Sequence, residues 1–165
     1  EAPSRGLIGL RTKLMNATRG AAVMSSMVKG WSPHRGELPT RMTGSQVCSE
    51  TNPVTSYALN ALVDRGPFFV EPGEMVYEGQ VTGEHRRDED VLVNPCKKKH
   101  LTNIRSAGAD EKADFPPPVR MSIEECLEFI VDDELLEVTP KNVRLRKVTL
   151  DANERAKQRN RAKKA

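Results

Sequence analysis

The sequence predicts an α+β fold that is β-rich after an opening helix. Three observations carry this. Short segments with alternating or β-branched apolar residues recur between Pro- and Gly-rich punctuation, as in "MTGSQVCSE", "VLVNP" and "NVRLRKVTL". Two stretches show apolar residues at helical spacing behind good caps. With 165 residues, 37% hydrophobic and only 4% aromatic, the chain has room for one medium domain, or a small one plus part of another, with an aliphatic core.

In chain order, residues 4–18 read as a helix, with Ser4 as N-cap, Leu7, Leu10 and Leu14 on one face, and Gly20 as the stop. "AAVMSSMVKGW" reads as a strand, and "SPHRGELP" as a connection and the best domain boundary. After the strand "MTGSQVCSE" comes a second helix. Asn52 is its predicted cap, Pro53 its first residue and Gly66 its end; Val54, Tyr57, Ala58, Ala61 and Leu62 form its apolar face. "PFFVE", a "PGE" turn and "MVYEGQVTGEH" suggest a hairpin, and "VLVNP" a short strand. The clearest helix is "SIEECLEFIVDD", where Ser122 and Glu125 form a capping box ahead of Ile123, Cys126, Leu127 and Ile130. "ELLEVTP" and "NVRLRKVTL" follow as strands, the second alternating Val143, Leu145 and Lys147 against Arg144 and Arg146. The last residues, 151–165, are helix-prone, basic and without an apolar face, which predicts a flexible tail.

Net charge is only +3, but its distribution is uneven. Residues 124–137 hold seven carboxylates and no base, whereas nine bases against Asp151 and Glu154 follow from Arg144 onward. Most pointed is "NPCKKKHLTNIRSAG", residues 94–108, with four Lys/Arg and no acid. It opens a stretch from Cys96 to Pro118 with little apolar pattern, and loops longer than about 12–15 residues tend to be functional or disordered. Lys97, Lys98, Lys99 and Arg105, beside His100, Thr102 and Asn103, suit phosphate and 2′-hydroxyl contacts, with Arg86 and Arg87 as further basic candidates. The shortage of aromatic residues there argues against base stacking as the main mode. A merely solvated loop is the competing reading.

Other chemistries lack their residues. There is no G-x-x-x-x-G-K-[ST] phosphate loop and no G-x-S-x-G nucleophile elbow. Cys48, Cys96 and Cys126 are too few and too scattered for a disulfide framework, and Cys96 with His100 supplies only two of a zinc site's four ligands. No catalytic residue, metal or cofactor is therefore expected within these residues. Three scattered cysteines are most simply read as a reducing, cytoplasmic setting, and no apolar run approaches the ~20 residues that span a bilayer, so no membrane contact is expected. The chain begins at Glu1 without a Met, which suggests a piece of a longer protein.

At "GEHRRDEDVLVNPCKKKHLTNIRSAG" and "DDELLEVTPKNVRLRK" the chain resembles the C-terminal end of the TypA/BipA family, translational GTPases related to elongation factor G. "YALNALVDRGPFFVEPGEMVYEGQ" and the opening "EAPSRGLIGLRTKLMNATRG" support it, so the resemblance runs from residue 1 to about 150. It implies that residues 1–33 are the last helix and strand of a ferredoxin-like domain V. Residues 34–150 would be the family-specific C-terminal domain, a small barrel-like sheet with two helices and a long basic loop. GTP and Mg would belong to a missing upstream domain. The resemblance also implies binding to the ribosome, at the large subunit and A site, with the basic loop reaching the tRNA acceptor arm and rRNA as a further partner. Ribosome assembly and stress-adapted translation are the implied roles. Self-association through the incomplete opening segment is a further expectation, and a domain that only positions its neighbours, without touching RNA, is the alternative. Departures from the family pattern include Arg86 and Glu89 in "EHRRDED", where Ser and Asn are commoner, and Asn52-Pro53 in place of Gly-Lys.

Overall fold

The computed structural model describes residues 1–7, 9–34, 36, 41–99 and 115–162. The chain divides into two compact units, Glu1–Thr40 and Arg41–Ala165.

In the first unit the expected single helix is split. A 3-10 turn covers Ser4–Leu7, and helix α1 runs only over Leu10–Ala17. Gly9 lies between them at φ 72°, a left-handed conformation that interrupts the helical path and that glycine adopts without steric cost. The end is as expected: Gly20, at φ 85°, donates its N–H to the Met15 carbonyl at 2.8 Å. The strand expected over residues 21–31 does not form. A strand exists only through a neighbour's backbone hydrogen bonds. Among the described residues no segment pairs with this one, and Val23 and Trp31 are 97% and 104% exposed.

The second unit is built on a mixed sheet of five strands, β1 (Gly44–Cys48), β4 (Gln80–His85), β5 (Val91–Val93), β6 (Glu134–Val138) and β7 (Val143–Lys147), in the order β5-β1-β4-β7-β6. Only β5 against β1 is parallel. β2 (Asn52–Pro53) and β3 (Met75–Val76) form a separate two-stranded ribbon. Helices α2 (Ser56–Leu62), α3 (Ile123–Phe129) and α4 (Ala152–Ala162) complete the unit, so it carries three helices among the described residues rather than two. None of the described helices is long and apolar enough to cross a membrane. The α+β class expected from the sequence is the one observed.

Several local expectations hold for the reasons given. Ser122 and Glu125 form the reciprocal capping box of α3, with hydrogen bonds of 3.2 and 2.8 Å. Gly66 ends the α2 region after one 3-10 turn. The start of α2 differs: Asn52 and Pro53 are spent on pairing with Val76 and Met75, and the cap is Thr55, whose hydroxyl accepts from the Ala58 N–H. The predicted hairpin is likewise redistributed. Residues 67–69 do run beside Thr82–Glu84, through Phe69 N–H to the Thr82 carbonyl (2.9 Å) and Glu84 N–H to the Pro67 carbonyl (3.0 Å). Met75 and Val76, however, pair with residues 52–53 instead. Residues Ala152–Ala162 of the expected flexible tail form helix α4 despite lacking an apolar face. It is docked by polar contacts, from the Ala152 N–H to Glu78 Oε1 (3.2 Å) and from Arg155 to the carbonyls of Thr149 and Leu150.

Among the described residues two apolar clusters fill the interior of the second unit. One joins Cys48, Val54, Leu59, Phe68, Val70, Val76 and Cys96; the other joins Val81, Cys126 and Leu145 with Phe69, Phe129 and Leu136 around them. Leu59 is fully buried in the first. Leu59→Ala is therefore expected to cost about 2–5 kcal/mol, and Ser122→Ala about 1 kcal/mol through loss of its cap. Urea titrations of the two variants check both the size and the order of these effects.

Candidate nucleic-acid interface

The lysine triplet leaves the sheet from a firmly held root. β5 ends at Val93, whose carbonyl accepts from the Ser49 N–H at 2.9 Å. Asn94 then donates to Glu50 Oε2 (2.7 Å), while its own Oδ1 receives the Cys96 N–H (2.9 Å). Pro95 and Cys96 are buried, and the Cys96 thiol donates to the Asn52 carbonyl at 3.2 Å. Thr55 completes the anchor. Its N–H donates to the Pro95 carbonyl (3.0 Å), and its hydroxyl donates to the Lys97 carbonyl (2.6 Å) while capping α2.

From this root Lys97, Lys98 and Lys99 emerge exposed, and none forms an ion pair with another described residue. Three adjacent ammonium groups repel one another, which an anionic partner would relieve. His100, Thr102, Asn103 and Arg105 lie outside the described residues. Arg86 and Arg87 are exposed but sit elsewhere. They follow His85, which pairs with Gly44 at the start of β1, whereas the lysines follow Val93, which pairs with Cys48 at its end. The five-residue strand β1 therefore separates the two basic groups.

Cys96 is not poised for thiolate chemistry. Burial, reinforced by the Glu50 carboxylate, raises its pKa, and burial pushes the Cys48 thiol up to about 12. Both are apolar packing groups.

A second polar cluster was not legible as a unit in the sequence. Lys147 is 1% exposed, and its ammonium lies 2.5 Å from Asp90, 3.0 Å from Asp133 and 3.0 Å from Glu134. Arg41 grips the other side of Glu134, at 3.1 and 3.2 Å, and stacks its guanidinium 4.1 Å above the Phe129 ring. The Ser45 hydroxyl donates to Glu134 Oε1 at 2.5 Å. Asp90, Asp133 and Glu134 bring ligand atoms within 4.8 Å of one another, but the Lys147 ammonium already supplies their positive charge. The cluster is thus an ion-pair hub, and it bends the sheet. β1 and β6 stand three places apart, on the order of 14 Å in a flat sheet, so the Ser45–Glu134 bond requires the sheet to curl towards closure.

Comparison with known proteins accords with this architecture. A family model described as the TypA/BipA C-terminal domain matches residues 43–152, nearly the whole second unit. The chain belongs to the TypA/BipA family. Among its relatives is the "Large ribosomal subunit assembly factor BipA" of Bacillus subtilis (strain 168), 44% identical over 156 residues, covering 94% of this chain and 26% of the relative. The proteins of the same name from Synechocystis and Escherichia coli (strain K12) are each 44% identical, over 88% and 93% of this chain and 24% and 25% of their own lengths. The chain therefore spans about a quarter of the length of the TypA/BipA relatives it matches. The hub lies within the matched TypA/BipA region except for Arg41, which precedes it.

The hub makes a prediction for alkaline pH. Burial alone would lower the Lys147 pKa, but the hydrogen bonds to Asp90 and Asp133 and the charges of Glu134 and Asp90 outweigh it, so the pKa is raised. A raised folded-state pKa gives stability that is fully present below the unfolded lysine value of ~10.4 and is lost as pH rises through the folded value. Lys147→Met is expected to cost about 3–5 kcal/mol at neutral pH, since it strips the buried Glu134 of one of its two cations. It should also flatten the alkaline limb of stability. Urea denaturation at several pH values between neutrality and the alkaline limit measures both effects.

Proposed function

We propose that this chain is the RNA-binding C-terminal module of a TypA/BipA-type translational GTPase that acts in large ribosomal subunit assembly. The observation that carries the reading is the exposed triplet Lys97–Lys99. It is held on a root of at least four hydrogen bonds at the head of an acid-free stretch. Anchored cations without a counter-ion among the described residues are suited to phosphate oxygens, and backbone contacts of this kind fix position without reading sequence. The names of the relatives support the ribosomal setting. On this reading residues 94–108 contact the acceptor arm of an A-site tRNA, or rRNA, and the work takes place in the cytoplasm. Nucleotide hydrolysis, with GTP and Mg, belongs to an upstream domain of the longer protein, and this module contributes placement on RNA, not catalysis.

Replacing Lys97, Lys98 and Lys99 by Gln tests this. Binding of tRNA or large ribosomal subunits should weaken at low salt, and the log–log salt slope should flatten by roughly 0.7–0.9 for each phosphate that is no longer neutralised. Stability should move by less than about 0.5 kcal/mol, because the side chains are exposed. The matched control replaces Arg11, Lys13 and Lys29 by Gln, which removes the same charge from the first unit. Equal weakening by both triples indicates diffuse attraction. An unaltered affinity in the loop triple means the module positions its neighbours without RNA contact.

A further inference from the structure

Helix α4 is a structure with an unexplained cost. At 11 residues it is shorter than the ~12–15 at which even favourable isolated helices become marginal. Its two i,i+4 basic pairs, Arg155–Arg159 and Lys157–Arg161, are like-charged, and such pairs disfavour a helix. It also has no apolar face with which to offset this by burial. The fold nevertheless holds it in place. Asp151 caps the Glu154 N–H at 2.8 Å, Glu78 receives the Ala152 N–H, and the Thr149 hydroxyl bonds Gln158 at 3.3 Å. Arg155 is occupied with the carbonyls of Thr149 and Leu150. Lys157, Arg159 and Arg161 remain exposed, without an ion pair to any described residue.

The helix start and the lysine root are linked through residues 50–55. Glu78, which holds the Ala152 N–H, is itself bound through its own N–H to the Thr51 hydroxyl (3.2 Å). The lysine root hangs on Glu50 and Thr55. Both basic elements are thus tethered to residues 50–55, at the end of β1. We propose that α4 is a second phosphate-contacting surface, which binds the RNA backbone through Lys157, Arg159 and Arg161 and extends the interface that begins at Lys97. The partner is RNA and not an acidic protein segment. Two guanidinium groups suit bidentate phosphate contact, and the helix start and the lysine root are anchored to the same residues, 50–55. A phosphate backbone relieves the like-charge repulsion along the helix, so binding and helix stability are coupled.

This rests on RNA binding by the module, and the test separates the two claims. The whole chain, the loop triple to Gln, the α4 triple (Lys157→Gln, Arg159→Gln, Arg161→Gln) and their combination are titrated with a short, fully paired RNA hairpin. Amide hydrogen exchange of residues 152–162 is followed in parallel. The α4 triple should fold with an unchanged melting temperature and flatten the salt slope by about 2–3. RNA should slow exchange across α4 in the unsubstituted chain and not in the α4 triple. Weakening confined to the loop triple, or exchange at 152–162 that saturating RNA leaves unchanged, overturns the α4 site and leaves the loop reading standing. Weakening confined to the α4 triple upholds the helix and removes the loop. Absence of binding by the unsubstituted chain overturns both. Equal competition by polyglutamate of matched length overturns the RNA assignment in favour of an acidic protein partner.

Discussion

The second unit depends on one buried carboxylate. Glu134, 3% exposed, is gripped by Arg41 from the segment before β1, by Ser45 within β1 and by Lys147 from β7. Lys147 then reaches Asp90, just ahead of β5, and Asp90 in turn accepts the Ser45 N–H at 2.8 Å. These contacts tie the two sides of a sheet that would otherwise lie open. The arrangement is costly, because each ion is removed from water and only good geometry offsets that. Its consequence is specific: it joins the start of β1 and the approach to β5 to β6 and β7, while the lysine root leaves from the opposite ends of β1 and β5.

The root illustrates how a modest set of polar groups converts a basic stretch into a placed one. Thr55 serves the backbone of Ala58, Pro95 and Lys97 together, so the start of α2 and the exit of the loop cannot move independently. The ribbon of β2 and β3 holds Asn52 and Pro53 just upstream, and the Cys96 thiol is sealed against Asn52. Charge presented from such a base costs less ordering entropy on binding than the same charge on a free tail. Helix α4 follows the same logic by a different route, with its backbone and Arg155 committed to the body and Lys157, Arg159 and Arg161 left exposed.

Much of the local structure was legible because it depends on neighbours in the chain. The Ser122–Glu125 capping box needs only a three-residue spacing, and Gly66 ends its helical segment by its own backbone freedom. The family resemblance was legible for the same reason, as it rests on contiguous motifs such as "VNPCKKKHLTN" and "DELLEVTP". Asn52-Pro53 misled because local preference for a helix start yielded to pairing with Val76 and Met75, more than twenty residues away. The segment 21–31 misled in the opposite sense, its β-like composition being insufficient without a partner backbone.

By itself, then, the sequence determined the α+β class, the strongest caps, the basic stretch and the family, all of which are written in composition or short spacings. Only the tertiary structure decided that Lys147, one cation among the nine that follow Asn142, is buried while Lys97–Lys99 are exposed. Nothing in the alternation of β7 distinguishes a solvated lysine from a buried one. The difference lies in Asp90 and the adjacent pair Asp133 and Glu134, which lie more than forty residues apart along the chain and meet at Lys147 only in the folded sheet.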